Sequence, residues 1–190
     1  MSQNRAVTAI HEGRDGDPAA ADDTGVALDE TRAGPGVGVV EAIHVAPAAG
    51  EPMRALDAVR AIAGVGLAGD RYAAGLGHWS PNTKVDRDLT LVAAEEIERL
   101  AAEHGIELAA GDTRRNVTTR GIRLNDLLGR RFRIGDVVCE GTRPCEPCQY
   151  LTDLLGKPVL APLVHRAGLR ARIVSDGELH LGEAVVAIDD

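Results

Sequence analysis

The chain has 190 residues, of which 44% are hydrophobic, with a formal net charge of -8. That length and apolar content suit a single globular domain with its own core. The negative balance disfavours nucleic acid and anionic membranes as partners, and three cysteines do not make a secreted disulfide scaffold.

Residues 1–35 read as a disordered acidic tail. The run EGRDGDPAAADDTGVALDETRAGPG is rich in Asp, Ala and Gly and has no sustained apolar period. It also lacks the apolar core of a signal peptide, and no apolar run reaches the roughly 20 residues of a spanning helix. A cytoplasmic protein is the expectation. The ordered domain is expected over residues 36–190.

VGVVEAIHVAP predicts a strand closed by Pro47. MRALDAVRAIAG has helix-like composition but runs into Gly64, Gly66 and Gly69, which favours an extended reading. AGDRYAAGLGHWSPNTKVD is a long glycine-rich loop of the kind that often carries function. In DLTLVAAEEIERLAAEHG a strand precedes a helix. Ala93, Ile97, Leu100, Ala101 and His104 share one helical face, and Gly105 stands at the C-terminal cap position. RRFRIGDVVCEGT alternates Phe132 and Ile134 with Arg131 and Arg133, as a half-buried strand does, and turns at Gly135-Asp136. A short helix is expected from Cys148 to Leu155, ended by Gly156, and a second around Val159 to His165. LRARIVSDGELHLGEAVVAID predicts a hairpin turning at Asp176-Gly177. Many short strands with turn signals every ten residues or so favour a mostly β, α+β domain closed as a barrel. The absence of regular strand–helix alternation and of a Gly-x-Gly-x-x-Gly opening disfavours a dinucleotide-binding fold.

The sequence RPCEPCQYLTDLLG places Cys145 and Cys148 two residues apart, each after a proline. Three chemistries use such a pair: a disulfide, half of a metal site, or a reactive thiolate. The βαβ setting of thioredoxin-type sites is missing. No second close pair exists to complete a structural zinc site. Pro147 suits the first helical position, which puts Cys148 in the first turn, where free N–H groups favour a thiolate. An inert buried pair competes with that reading. Cys139, among alternating apolar residues, belongs to the core.

TRRNVTTRG gathers Arg114, Arg115, Asn116, Thr118, Thr119 and Arg120, and eight arginines fall between positions 114 and 143 of an acidic chain. Guanidinium forks and hydroxyls suit a phosphate or carboxylate; a solvated strand face paired with local acids explains them equally well. Asp70-Arg71 is either a ligand element or an internal ion pair. His78 and Trp79 are candidate pocket residues.

The order GLAGDRY, LTLVAAEEIE, GDTRRNVTTRGIRLNDLLGRRFRIGD, EGTRPCEPCQYL and GLRARIVSDGELHLGEAV resembles the MOSC domain, found at the C-terminus of molybdenum cofactor sulfurases. The resemblance spans roughly residues 37 to 188 and implies a stand-alone, barrel-like member. It implies a functional cysteine in a Pro-Cys pair, matched by Pro147-Cys148, that carries sulfur as a persulfide or ligates molybdenum. Cys145 is then an accessory thiol able to resolve the persulfide. The resemblance also implies that Asp70, Arg71, Arg114, Asn116 and Thr118 fall in segments that line the cofactor pocket, and a bound cofactor's phosphate is expected near Arg114, Arg115 and Arg120. As a carrier, the chain would take sulfur from a cysteine desulfurase that uses pyridoxal phosphate. As a cofactor protein, it would bind molybdopterin, with Cys148 on the metal, and reduce N-hydroxylated small molecules. Neither Lys84 nor Lys157 has a Schiff-base setting. One departure matters: many members carry Glu where this chain has Arg115.

Overall fold

In the computed structural model, residues 36–81 and 86–188 are described; the expected tail at 1–35 lies outside them. Eleven strands form among the described residues: β1 (Val37–Val45), β2 (Arg54–Leu56), β3 (Ala58–Ile62), β4 (Gly66–Leu67), β5 (Leu89–Ala93), β6 (Val117–Arg120), β7 (Arg131–Ile134), β8 (Val137–Pro144), β9 (Leu169–Ile173), β10 (Gly177–His180) and β11 (Ala184–Ile188). The helices are α1 (Ala94–His104) and α2 (Gln149–Leu155), with single 3-10 turns at Ala110–Thr113 and Leu124–Leu127.

Seven strands close on themselves in the order β1-β6-β5-β9-β8-β7-β11, because β11 pairs with β1 as well as with β7. Closure leaves the barrel without free edges. Only β5 and β6 run parallel, and α1 makes the crossover between them. The first four residues of β5 are therefore buried on both faces. β2 extends the sheet beyond β1, while β10, β3 and β4 form a separate three-stranded sheet. A register shift between Val40 and Ala42 changes the inward phase of β1, so that Val40 and then Ile43 and Val45 are buried. The barrel is filled by Val40, Leu89, Leu91, Phe132, Ile134, Leu169 and their neighbours. A second cluster, of Leu100, Leu151, Val159, Leu163 and Ala167, packs α1 against α2 and the turns that follow it.

The extended reading of 53–64, the β5–α1 unit with its left-handed Gly105 cap, and the alternating β7–β8 hairpin form as expected. Four expectations are corrected. β9 and β10 do not form a hairpin. Both edges of β9 are taken, by β5 and β8. The linker is turned away because Ser175 Oγ accepts from Val138 N–H (2.9 Å) and Asp176 Oδ1 from Ala63 N–H (2.8 Å). β10 then joins β3. The segment 159–165 forms successive turns and no helix; Pro162 lacks an N–H and His165 takes a φ of 62°. His104 is exposed, and Ala94 and Leu100 are the buried residues of α1. Cys148 is the N-cap of α2, extended at φ -142° and ψ 161°, so Pro147 stands outside the helix. No helix among the described residues is long and apolar enough to cross a membrane.

Candidate functional site

One end of the barrel carries a cavity of about 310 Å³. Its floor and walls come from the glycine-rich loop before β5, the turn into β6, the C-terminal end of β8 and the start of α2. Six arginines line it (Arg71, Arg87, Arg114, Arg115, Arg143 and Arg170), and Glu146 is the only lining carboxylate among the described residues. In a chain of net charge -8, that concentration of guanidinium groups gives the cavity a positively charged lining.

The wall at β6 is built on Asp70. Its Oδ2 accepts from Arg71 Nη1 (3.0 Å), Asn116 Nδ2 (3.1 Å) and Ala46 N–H (3.3 Å), and its Oδ1 accepts from Tyr72 N–H (3.0 Å). Asn116 Oδ1 in turn accepts from Thr90 Oγ1 (2.8 Å). Asp70 and Asn116 thus lie behind the cavity wall and orient it. Arg71 reaches across to donate to the Arg114 carbonyl (2.9 Å). That carbonyl is presented because Arg114 caps the 3-10 turn in a left-handed conformation, with φ 59°. Arg114 Nη1 donates to Glu51 O (2.8 Å), while its Nη2 is buried and has no partner among the described residues. Burial and the neighbouring Arg71 charge lower the Arg114 pKa.

Arg115 is used differently. Nε donates to Ala167 O (2.9 Å), Nη1 to Thr113 O (3.2 Å), and Nη2 to Cys145 O (2.9 Å). The guanidinium therefore ties the cysteine loop to the barrel rim by its backbone. Cys145 N–H also donates to Gly168 O (2.7 Å). All three cysteines are free thiols. Cys145 is 1% exposed, whereas Cys148 is half-buried, and both line the cavity. Cys139 lies inside the barrel, and burial pushes its thiol up to about 12, which removes it from nucleophilic chemistry near neutral pH. Glu146 turns away from the cysteines to His165, accepting from its N–H (2.8 Å) and meeting its Nδ1 (2.8 Å). Burial raises the Glu146 pKa, but these contacts and Arg115 outweigh it, and the carboxyl lies below its ordinary value.

Aromatic rings line another part of the cavity. His78 stacks on Tyr150 with centroids 3.9 Å apart and planes 7° from parallel, and Trp79 meets His78 edge-on at 4.7 Å.

Arg71, Arg114, Arg115, Cys145 and Cys148 thus converge on one cavity, with Asp70 and Asn116 in support. Thr118 and Arg120 do not join them. They lie further along β6, away from the rim. Thr118 is buried between Val92 and Ala42 of the neighbouring strands. Arg120 is exposed at the far end, where it is paired with Glu41 (2.5 Å) and Glu98 (2.6 Å). Lys157 donates to Glu107 O and does not line the cavity; Lys84 lies outside the described residues. Sequence reasoning missed Arg170, Tyr150 and Thr90. Arg170 stands in an otherwise ordinary strand pattern, and only its pairing beside Arg143 brings it to the rim. No cluster of three or more metal-ligating side chains occurs among the described residues.

Comparison with protein families matches the MOSC domain over residues 51–186. The chain belongs to the MOSC domain family. The β-barrel agrees with solved structures of similar fold. YuaD from Bacillus subtilis has a TM-score of 0.65 at 19% identity, covering 81% of this chain and 97% of that one. YiiM from Geobacillus stearothermophilus gives 0.61 at 16% identity, covering 80% and 75%. YiiM from Escherichia coli gives 0.56 at 18%, covering 80% and 69%. No curated protein matches the sequence significantly. The MOSC family relates this chain to the molybdenum cofactor.

Proposed function

We propose that this MOSC protein is a molybdenum cofactor-binding reductase, with the Cys148 thiolate on the metal and the cofactor's phosphate at Arg114. The observation that carries the reading is the buried, unpartnered Nη2 of Arg114 in the same cavity as a half-buried thiol. A buried donor without an acceptor costs about 1–3 kcal/mol, and more when it is charged. A phosphate oxygen supplies the missing acceptor with a charge-assisted bond. The cavity residues fit the group in chemistry as well: a soft thiolate for the metal and guanidinium groups for the anion. Bound there, the metal would supply two-electron redox chemistry to an N-hydroxylated small molecule.

The chain's own residues do the rest. Arg115 holds Cys145 and its loop in place through backbone carbonyls, so the position of Cys148 is fixed by the barrel rim. Asp70 holds Arg71, and Arg71 holds the Arg114 carbonyl. The stacked His78–Tyr150 pair offers an apolar wall for a flat substrate.

A second reading is favoured by Cys145, which lines the same cavity. Cys148 would carry a sulfane sulfur received from a pyridoxal phosphate-dependent desulfurase; attack of the Cys145 thiolate on the Cys148 Sγ would break the S–S bond of the persulfide, form the Cys145–Cys148 disulfide and release the carried sulfur as hydrosulfide. That reading leaves the open donor of Arg114 without an assigned acceptor. Metal analysis and cyanide-releasable sulfur measured on natively isolated protein separate the two. The expected result is one molybdenum per chain, lost in Cys148→Ser, with no releasable sulfur. Releasable sulfur without molybdenum establishes the carrier. Zinc in place of both establishes a structural cysteine pair.

A further inference from the structure

The arginines of the cavity are not equivalent. Arg71 is occupied by Asp70 and the Arg114 carbonyl. Arg115 is occupied by backbone carbonyls. Arg143 is held by Asp86 through two bonds, Nε to Oδ2 (2.5 Å) and Nη2 to Oδ1 (3.2 Å). Arg87 donates to the Trp79 carbonyl. Of the other five, two keep a buried guanidinium nitrogen without a partner among the described residues. One is Arg114. The other is Arg170, whose Nη1 is buried without a partner and whose side chain meets no carboxylate among the described residues.

Strand pairing shows that these two are separate. Round the rim, Arg143 of β8 pairs with Arg170 of β9, and Arg170 pairs with Thr90 of β5. Thr90 is hydrogen-bonded to Asn116, at the entry to β6. The backbone of Arg170 therefore stands two strands from the Arg114 turn, about 10 Å at the usual strand spacing. Arg114 is fixed on its own side by Glu51, where the wall also borders the hollow beneath His44 and Met53. Arg170 has no part in that hollow. Glu146, the only lining carboxylate among the described residues, is turned to His165 and neutralises neither.

We propose that Arg170 is a second anion anchor, serving the substrate and not the cofactor, so that the compound acted on beside Cys148 carries its own carboxylate or phosphate. This rests on the reading that Arg114 takes the cofactor's phosphate. Arg114 is anchored beside Glu51 and Arg170 beside Arg143 and Thr90, so each offers its open donor from a different strand. An anionic substituent at Arg170 would fix the orientation of a substrate whose ring lies along His78 and Tyr150, leaving its reacting group at the thiol side of the cavity.

Inorganic phosphate is the probe. Calorimetric titration of cofactor-free protein at low ionic strength should show two phosphates per chain. Arg170→Gln should bind one, with the other affinity unchanged, and Arg114→Gln should lose the complementary one. Arg170→Lys, which keeps the charge, should retain the second phosphate at least tenfold more weakly, and it decides the matter if Arg170→Gln does not fold. Natively isolated Arg170→Gln or Arg170→Lys should carry as much molybdenum as the wild type. A single phosphate lost in both Arg170→Gln and Arg114→Gln overturns the proposal, as does unchanged phosphate binding in the Arg170 variants, or loss of their molybdenum. Phosphate stoichiometry is read without the metal, so absence of molybdenum from the wild type would overturn the cofactor reading alone.

Discussion

Asp70 shows how much one buried carboxylate can organise. At 3% exposure it accepts four hydrogen bonds, from a guanidinium, a side-chain amide and two backbone N–H groups. Its charge is matched by Arg71, itself 5% exposed. Sequence reasoning left two roles open for this pair, a ligand element or an internal ion pair, and the geometry makes it an ion pair that positions a cavity wall. Removing one partner of a buried pair leaves an uncompensated charge and costs about 3–5 kcal/mol. Asp70→Ala should therefore lower the thermal midpoint by on the order of 10 °C in a domain of this size. The variant should also bind phosphate more weakly, because Arg71 no longer holds the Arg114 carbonyl. Differential scanning fluorimetry with and without phosphate reads both. A midpoint within about 2 °C of wild type would show that Arg71 finds another counter-charge.

At the scale of elements, the cysteine loop depends on how closely β9 approaches β5. Gly168 precedes β9 with φ +114°, and a Cβ placed there would stand 1.8 Å from the Leu91 carbonyl oxygen. That oxygen belongs to the barrel backbone and cannot yield as a side-chain end does. The Gly168 carbonyl also receives the Cys145 N–H. Gly168→Ala should separate β9 from β5, loosen the cysteine loop and expose Cys145 to alkylation in the native state, with a clear fall in thermal midpoint. Labelling of Cys145 no faster than in the wild type would show that the loop is held by Arg115 alone. Elements of this kind divide what the sequence discloses from what it conceals. β7 and β8 were legible because Phe132 and Ile134 alternate with exposed arginines and the partner strand follows at once. β9 and β10 were misread as a hairpin because Asp176-Gly177 is a good local turn, while the competition of β5 and β8 for the edges of β9 is non-local. The same distinction governs the site. The Cys145–Cys148 pair and the Arg114–Asn116 run announced themselves by spacing. Arg120 was grouped with them by sequence proximity, although a strand carries it away from the rim to Glu41 and Glu98. Arg170 was invisible until pairing placed it beside Arg143.

At the scale of the whole molecule, stability should respond to pH through His44. Burial lowers its pKa below the ordinary value of 6.5, against an opposing pull from Asp112, and its Nδ1 is buried without a partner. Between its folded value and about 6.5 the unfolded chain binds the proton that the folded chain refuses, so stability falls as pH falls through that window. The drop in thermal midpoint from neutral pH to about pH 5.5 should shrink in His44→Gln, the other histidines contributing alike to both proteins. An unchanged drop would place the titration elsewhere. The same measurement tests domain organisation. Among the described residues, every buried hydrophobic residue of the barrel core lies between Val40 and Val185, and the MOSC match spans residues 51–186. The first 35 residues have a composition rich in Asp, Ala and Gly with no apolar period to add to that core. A chain lacking residues 1–34 should therefore keep the midpoint of the full protein and its phosphate stoichiometry. A fall beyond about 4 °C, roughly 1–2 kcal/mol for a domain of this size, would mean that the N-terminal segment contributes to the folded domain and that its boundary lies before Gly36.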